Sequence, residues 1–138
     1  MHTRLHATSV AIHGQGVLIR GASGSGKSSL ALQLMALGAQ LISDDQTELR
    51  VDQSMLHARA PASIRGLIEA RGIGLLHAEA VEATIRLVID LDQIETQRLP
   101  YAHQTEILGC TLPCLHKAET DAWPAGVLQY VKGGRREP

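Results

Sequence analysis

Three glycines within six residues, followed at once by a lysine and a serine, constrain this chain more than any other feature: Gly21-Ala22-Ser23-Gly24-Ser25-Gly26-Lys27-Ser28. Glycine takes positive φ without the steric cost other residues meet, so such a run can fold its N–H groups inward around an anion. Ahead of it, Val17-Leu18-Ile19 reads as a strand. Behind it, Leu30, Ala31, Leu34 and Leu37 fall at helical spacing, with Gly38 as a natural stop. A helix opening near Lys27 would aim the positive end of its dipole at the same anion. Spacing and context together make this a phosphate-binding P-loop. Residues Gly21, Ala22, Ser23, Gly24, Ser25, Gly26, Lys27, Ser28 and Ser29 are its expected ligand-binding set and ATP is the expected ligand. Lys27 is placed to reach the β and γ phosphates, and Ser28 to ligate Mg2+.

The rest of the chain reads as an α/β fold. Thr8 to Ile12 is an expected strand, with Gly14-Gln15-Gly16 as a turn before the next one. Gln40 to Ser43 is a short apolar strand that ends on Asp44-Asp45. Strand, loop, helix and strand in that order form a βαβ unit, which calls for a parallel component in the sheet. Glu48 to Val51 and Met55 to Ala58 can pair as a hairpin about residues 52–54, and Ala83 to Leu91 is a β-branched strand. Thr120-Asp121 can cap a final helix running to about Val131, with Pro124 in its first turn and Gly133-Gly134 beyond.

Composition narrows the function classes. A net charge of -1 over 138 residues lacks the basic excess of a nucleic-acid binder. The N-terminus has no long apolar run and no segment reaches membrane-spanning length, so the expectation is a cytoplasmic protein without a membrane partner. Aromatic residues are only 2%, with no Phe, so Leu, Ile, Val and Ala must fill the core. Cys110 and Cys114 have three residues between them, which is not redox C-x-x-C spacing, and two thiols alone make a poor zinc site. They read as half-buried thiols near a strand.

Three further groups qualify as chemistry. Asp44-Asp45 ends the strand after the phosphate-loop helix, the edge at which α/β sheets bind ligands. One carboxylate can orient magnesium while the other accepts a proton from an attacking hydroxyl; a polar turn explains the pair as well. His6 precedes the first expected strand, and an imidazole there reaches an aspartate only if its strand lies beside the P-loop strand. Glu69-Ala70-Arg71-Gly72-Ile73-Gly74-Leu75 reads as a flexible loop offering a metal ligand in Glu69 and an anion-binding fork in Arg71. The other six histidines carry no comparable argument.

Taken in order, these residues resemble the catalytic domain of the HPr kinase/phosphorylase family. The resemblance runs from His6 through Gly16 to Ser28, Gly38 to Asp45 and Ala60-Pro61 to Glu69 through Gly74, covering about the first 80 residues. It implies a P-loop kinase-like (PEP carboxykinase-like) domain with a mixed sheet and few helices. Residues 1–138 would form one such domain, a short form of the family in which the kinase core stands alone, without the C-terminal basic segment. It also implies ATP- and Mg2+-dependent phosphorylation of a serine on an HPr-type phosphocarrier, in phosphotransferase-system signalling, with phosphorolysis as the reverse reaction. The implied catalytic residues are His6, Lys27, Asp44, Asp45 and Arg71, with His6 supporting the aspartate that acts as base. Ser28, Asp45 and Glu69 are the implied magnesium contacts. Which aspartate is the base stays open, as does a homo-oligomeric state. Two other readings remain: a P-loop kinase for serine or a sugar, and an ATP-sensing module without turnover.

Overall fold

The computed structural model describes residues 2–138. Its chain order is β1 (His2–Leu5), β2 (Ala7–Ile12), β3 (Gln15–Arg20), α1 (Lys27–Ala36), β4 (Gln40–Ser43), β5 (Thr47–Asp52) and β6 (Met55–Arg59). Then come β7 (Leu67–Ala70), β8 (Gly74–His77), β9 (Ala83–Ile94), β10 (His103–Ile107), β11 (Cys110–Lys117) and α2 (Trp123–Gly133). The main sheet runs β1-β5-β6-β9-β3-β2-β4, and β11 joins β9 further along its length with β10 outside it. It is a mixed α/β fold with two α-helices, as the sequence leads one to expect.

The expected βαβ unit is present, but its strands are not neighbours. Antiparallel β2 lies between β3 and β4, so the parallel partner of β3 is β9, which in turn pairs in parallel with β11. The ends of β3, β4, β9 and β11 therefore gather along one edge, together with the start of β2. Alternation along β3 shows why its apolar run is so dense. Val17 and Ile19 face a cluster with Leu30, Leu34, Leu41, Leu87 and Val127 beneath the helices. Leu18 faces the opposite side, among Ala11, Ile42, Leu49, Leu56, Val88 and Leu112.

Several local expectations are corrected. The first turn is His13-Gly14, both at positive φ (49° and 77°), so β3 already begins at Gln15. Leu37 is the C-cap of α1 and is exposed, because Gly38 at φ 111° turns the chain there. Residues 69–75 are not a loop: β7 and β8 form a hairpin, with the Ala70 carbonyl receiving the Ile73 N–H across its turn. Thr120 and Asp121 do not cap α2. Its N-cap is Ala122, no side chain caps it, and the helix takes in Gly133. Both cysteines lie on β11, Cys114 buried and Cys110 partly so, and both are free thiols. Among the described residues, no helix is long and apolar enough to cross a membrane.

Candidate phosphate-loop site

The loop leaves β3 at Arg20 and is pinned from below. The Ala22 N–H donates to both carboxylate oxygens of Asp92 at 3.1 Å, tying the loop to the far end of β9. Gly26, at φ 102°, is the N-cap of α1 and no side chain caps the helix, so its first N–H groups stay available to an anion. Lys27 folds back over the loop, and its Nζ donates to Gly21 O at 2.8 Å and Ala22 O at 3.1 Å. An ammonium has three donors, so one remains for a phosphate oxygen. Ser25 Oγ is buried without a hydrogen-bond partner among the described residues.

The two aspartates, adjacent in sequence, do different things. Asp44 is 8% exposed and collects three hydrogen bonds. Its Oδ1 accepts from Ser28 Oγ at 2.6 Å and Thr8 Oγ1 at 3.0 Å, and its Oδ2 accepts from the Glu69 N–H at 2.9 Å. It therefore joins α1, β2 and β7 at one point behind the loop. Asp45 sits at φ 70° with its side chain 65% exposed. Its Oδ1 accepts from His6 Nε2 at 2.7 Å, and its own N–H donates to Thr8 Oγ1 at 3.1 Å.

The pairing of β2 with β4 explains the meeting of His6 and Asp45. Ser9 lies opposite Ser43, which puts the residue before β2 next to the residues after β4. The hairpin β7–β8 then closes the other wall, anchored by Ile68 in the core and by the Asp44–Glu69 bond. A cleft of about 400 Å³ results, lined by His6, Ser23, Gly24, Gly26, Lys27, Ser28, Ser29, Asp45, Glu69 and Arg71. Of the expected site residues, Asp44 lies behind this cleft, and Gly21, Ala22 and Ser25 do not line it. No ion pair joins Glu69 to Arg71 among the described residues.

Two residues with a part in this geometry escaped the sequence reading. Thr8 bridges both aspartates, and Asp92 holds the loop. For Thr8 there was a faint signal, since Thr8-Ser9 are hydroxyl residues inside an apolar strand and both prove fully buried. For Asp92 there was none. The donor set suits a hard divalent cation such as magnesium. Ser28 Oγ gives its hydrogen to Asp44, which leaves its lone pairs for a metal, and the Asp45 and Glu69 carboxylates stand in the same cleft.

A second groove opens on the opposite flank of the loop, lined by Ser25, Gly26, Ser29, Gln33, Lys117 and Trp123 among others. It lies where β11, two strands along from β3 in the parallel set, delivers its C-terminal end.

Residues 1–116 match the family model described as HPr Serine kinase C-terminal domain. The HPr kinase/phosphorylase of Polaromonas sp. (strain JS666 / ATCC BAA-500) is 35% identical over 122 residues, covering 78% of this chain and 39% of its own. That of Caldicellulosiruptor bescii is 40% identical over 124 residues, covering 80% of this chain and 40% of its own. The chain thus spans about two fifths of the length of the curated relatives it matches. Among solved structures, the Hpr(Ser) kinase/phosphatase from Coxiella burnetii aligns with a TM-score of 0.78 at 26% identity, over 94% of each chain.

Proposed function

The chain belongs to the HPr serine kinase C-terminal domain family, and from that premise we propose that it forms one catalytic unit transferring phosphate from ATP, with magnesium, to a protein serine in the cytoplasm. An HPr-type phosphocarrier is the proposed acceptor. The observation that carries this reading is the His6–Asp45 pair, 2.7 Å apart, on the same cleft as Lys27 and Ser28.

In this reading Asp45 is the base and Asp44 the positioning residue. The imidazole N–H of His6 holds Asp45 Oδ1, leaving Oδ2 to accept the proton of the serine hydroxyl. The serine oxygen bonds to the γ-phosphorus as the bond to the β–γ bridging oxygen breaks, and ADP leaves with that oxygen. Lys27 and the first N–H groups of α1 neutralise charge on the transferring phosphoryl group, and Arg71 offers a fork to the same oxygens. Asp44 keeps Ser28 turned so that its lone pairs face the cleft. Ser28 and Glu69 would hold magnesium, which would supply charge neutralisation to the phosphates, while Asp45 keeps its second oxygen for the proton. In the reverse direction protonated Asp45 returns its proton to the serine oxygen as inorganic phosphate takes the phosphoryl group. The groove beside Trp123 and Lys117 is the proposed seat of the nucleoside, because ligands of α/β sheets sit beyond the C-terminal ends of their parallel strands.

Purified chain, ATP labelled at the γ position and an HPr-type protein test the reading. Label on a serine of that protein, abolished by Asp45→Asn, supports it. Label on serine or a sugar instead supports a small-molecule kinase, and tight ATP binding without transfer supports a sensing module; either result overturns it.

A further inference from the structure

We propose that Glu95, His103 and His116 form a binding site for a divalent transition-metal ion, Zn2+ foremost, separate from the phosphate-loop cleft. Each residue offers one ligand atom, and the three atoms lie within 4.8 Å of one another. None of the three contributes to the phosphoryl-transfer geometry described above.

The fold builds this cluster from two strands, β10 and β11, and the residue that follows β9. Past the irregularity between His116 and Lys117, the Glu95 N–H donates to Lys117 O at 2.8 Å, which clamps the exit of β9 to the end of β11. On the other side of β11, His103 lies opposite Cys114. His116, two residues further along, is then its diagonal neighbour on the same face. The two imidazoles stack with centroids 3.9 Å apart and planes 11° from parallel.

The carboxylate is held ready. Glu95 Oε2 accepts the Thr96 and Gln97 N–H groups, each at 3.1 Å, while Oε1 accepts from His103 Nε2 at 2.7 Å. The side chain of Glu95 is only 12% exposed. Two imidazoles and one carboxylate are a ligand set that zinc takes, with a fourth position left for water. Tetrahedral zinc with bonds of about 2.0–2.1 Å spaces its ligand atoms about 3.3 Å apart. The Glu95–His103 contact is already inside that span. Binding would displace the proton between those two groups and draw His116 out of the stack. The ion would tie residues 95–103 to β11.

Chelator-stripped full chain, free of nucleotide, is titrated with ZnCl2 by calorimetry, and Co2+ is used as a visible-absorption probe. The proposal expects one equivalent whose affinity falls at least 10-fold in His103→Asn and in His116→Asn, and is retained in Asp45→Asn. That last variant is the control, because His6, Asp45 and Glu69 also present metal donors. Nitrogen chemical shifts of His103 and His116 in the wild-type chain, which moves no residue, should change on Zn2+ addition. No zinc binding, or binding lost in Asp45→Asn with the His103 and His116 shifts unmoved, overturns the site.

Discussion

His6 Nε2 and Asp45 Oδ1 are 2.7 Å apart although 39 residues separate them, and the carboxylate they position is the exposed one of an adjacent pair. Asparagine tolerates the positive φ of position 45 and can still accept from His6. Asp45→Asn is therefore expected to fold and bind ATP as the wild type does. Phosphate transfer should fall by about 10²–10⁴-fold, the usual worth of a general base. Single-turnover kinetics with nucleotide binding in parallel check this, and an unaltered rate would remove Asp45 from the role.

Asp44→Asn should behave differently. Its carboxylate accepts three donors while nearly buried, and an amide turns an NH2 group toward at least one of them. A loss of about 1–3 kcal/mol of stability is expected, in the range for a buried donor left without its charged acceptor. A shifted midpoint in urea at unchanged slope is the measurement. An Asp44→Asn chain as stable as the wild type contradicts the assignment.

Trp123 lines the groove assigned to the nucleoside. Losing an aromatic stack with a base costs about 1–3 kcal/mol, so Trp123→Ala should raise KM for ATP by about 10-fold with a smaller change in kcat. An unchanged KM would place the nucleoside elsewhere.

Gly16 sits on β3 directly against β9, opposite Ile85. A Cβ there would lie 2.8 Å from the Thr84 carbonyl oxygen and 2.9 Å from Ile85 Cδ1, and the β3–β9 register shifts between Gly16 and Val17. Gly16→Ala should destabilise the chain by about 1–3 kcal/mol, the cost of overpacking against a backbone that cannot withdraw. Thermal unfolding reads it.

The hydrogen bond from His103 holds the Glu95 carboxyl below its ordinary range, with the Thr96 and Gln97 N–H groups acting in the same direction against the opposing effect of burial. A lowered carboxyl stabilises the fold above its ordinary pKa and loses that contribution as pH falls through the lowered value. Wild type should therefore be more stable than Glu95→Gln near neutrality, and the difference should shrink as the solution is acidified past the carboxylate range. Denaturant melts at several pH values test the sign; a gap that widens in acid would refute it.

Much of the phosphate site was legible because its chemistry is contiguous. From Gly21 to Ser28 the residue types needed to wrap an anion occur side by side, and the flanking periods identify strand and helix. The β7–β8 hairpin was not legible, because Gly72 and Gly74 bracket Ile73 in the manner of a loop, and only pairing of Leu67–Ala70 with Gly74–His77 makes it a wall of the cleft. His103 and His116 looked like isolated histidines for the same reason. Their partner Glu95 is brought to them by the parallel pairing of β9 with β11, which no local pattern encodes.

By itself, then, the sequence determined that a phosphate loop joins a buried strand to a helix and that Asp44-Asp45 follows on the next strand, since each is a matter of neighbours within a few residues. Only the tertiary structure decided how the two aspartates divide. The insertion of β2 between β3 and β4 brings Thr8 and His6 to the strand ends, and the positive φ at Asp45 turns one carboxylate outward while its neighbour stays in. Strand order and backbone turn are long-range outcomes of burying two apolar faces at once, and adjacent letters do not carry them.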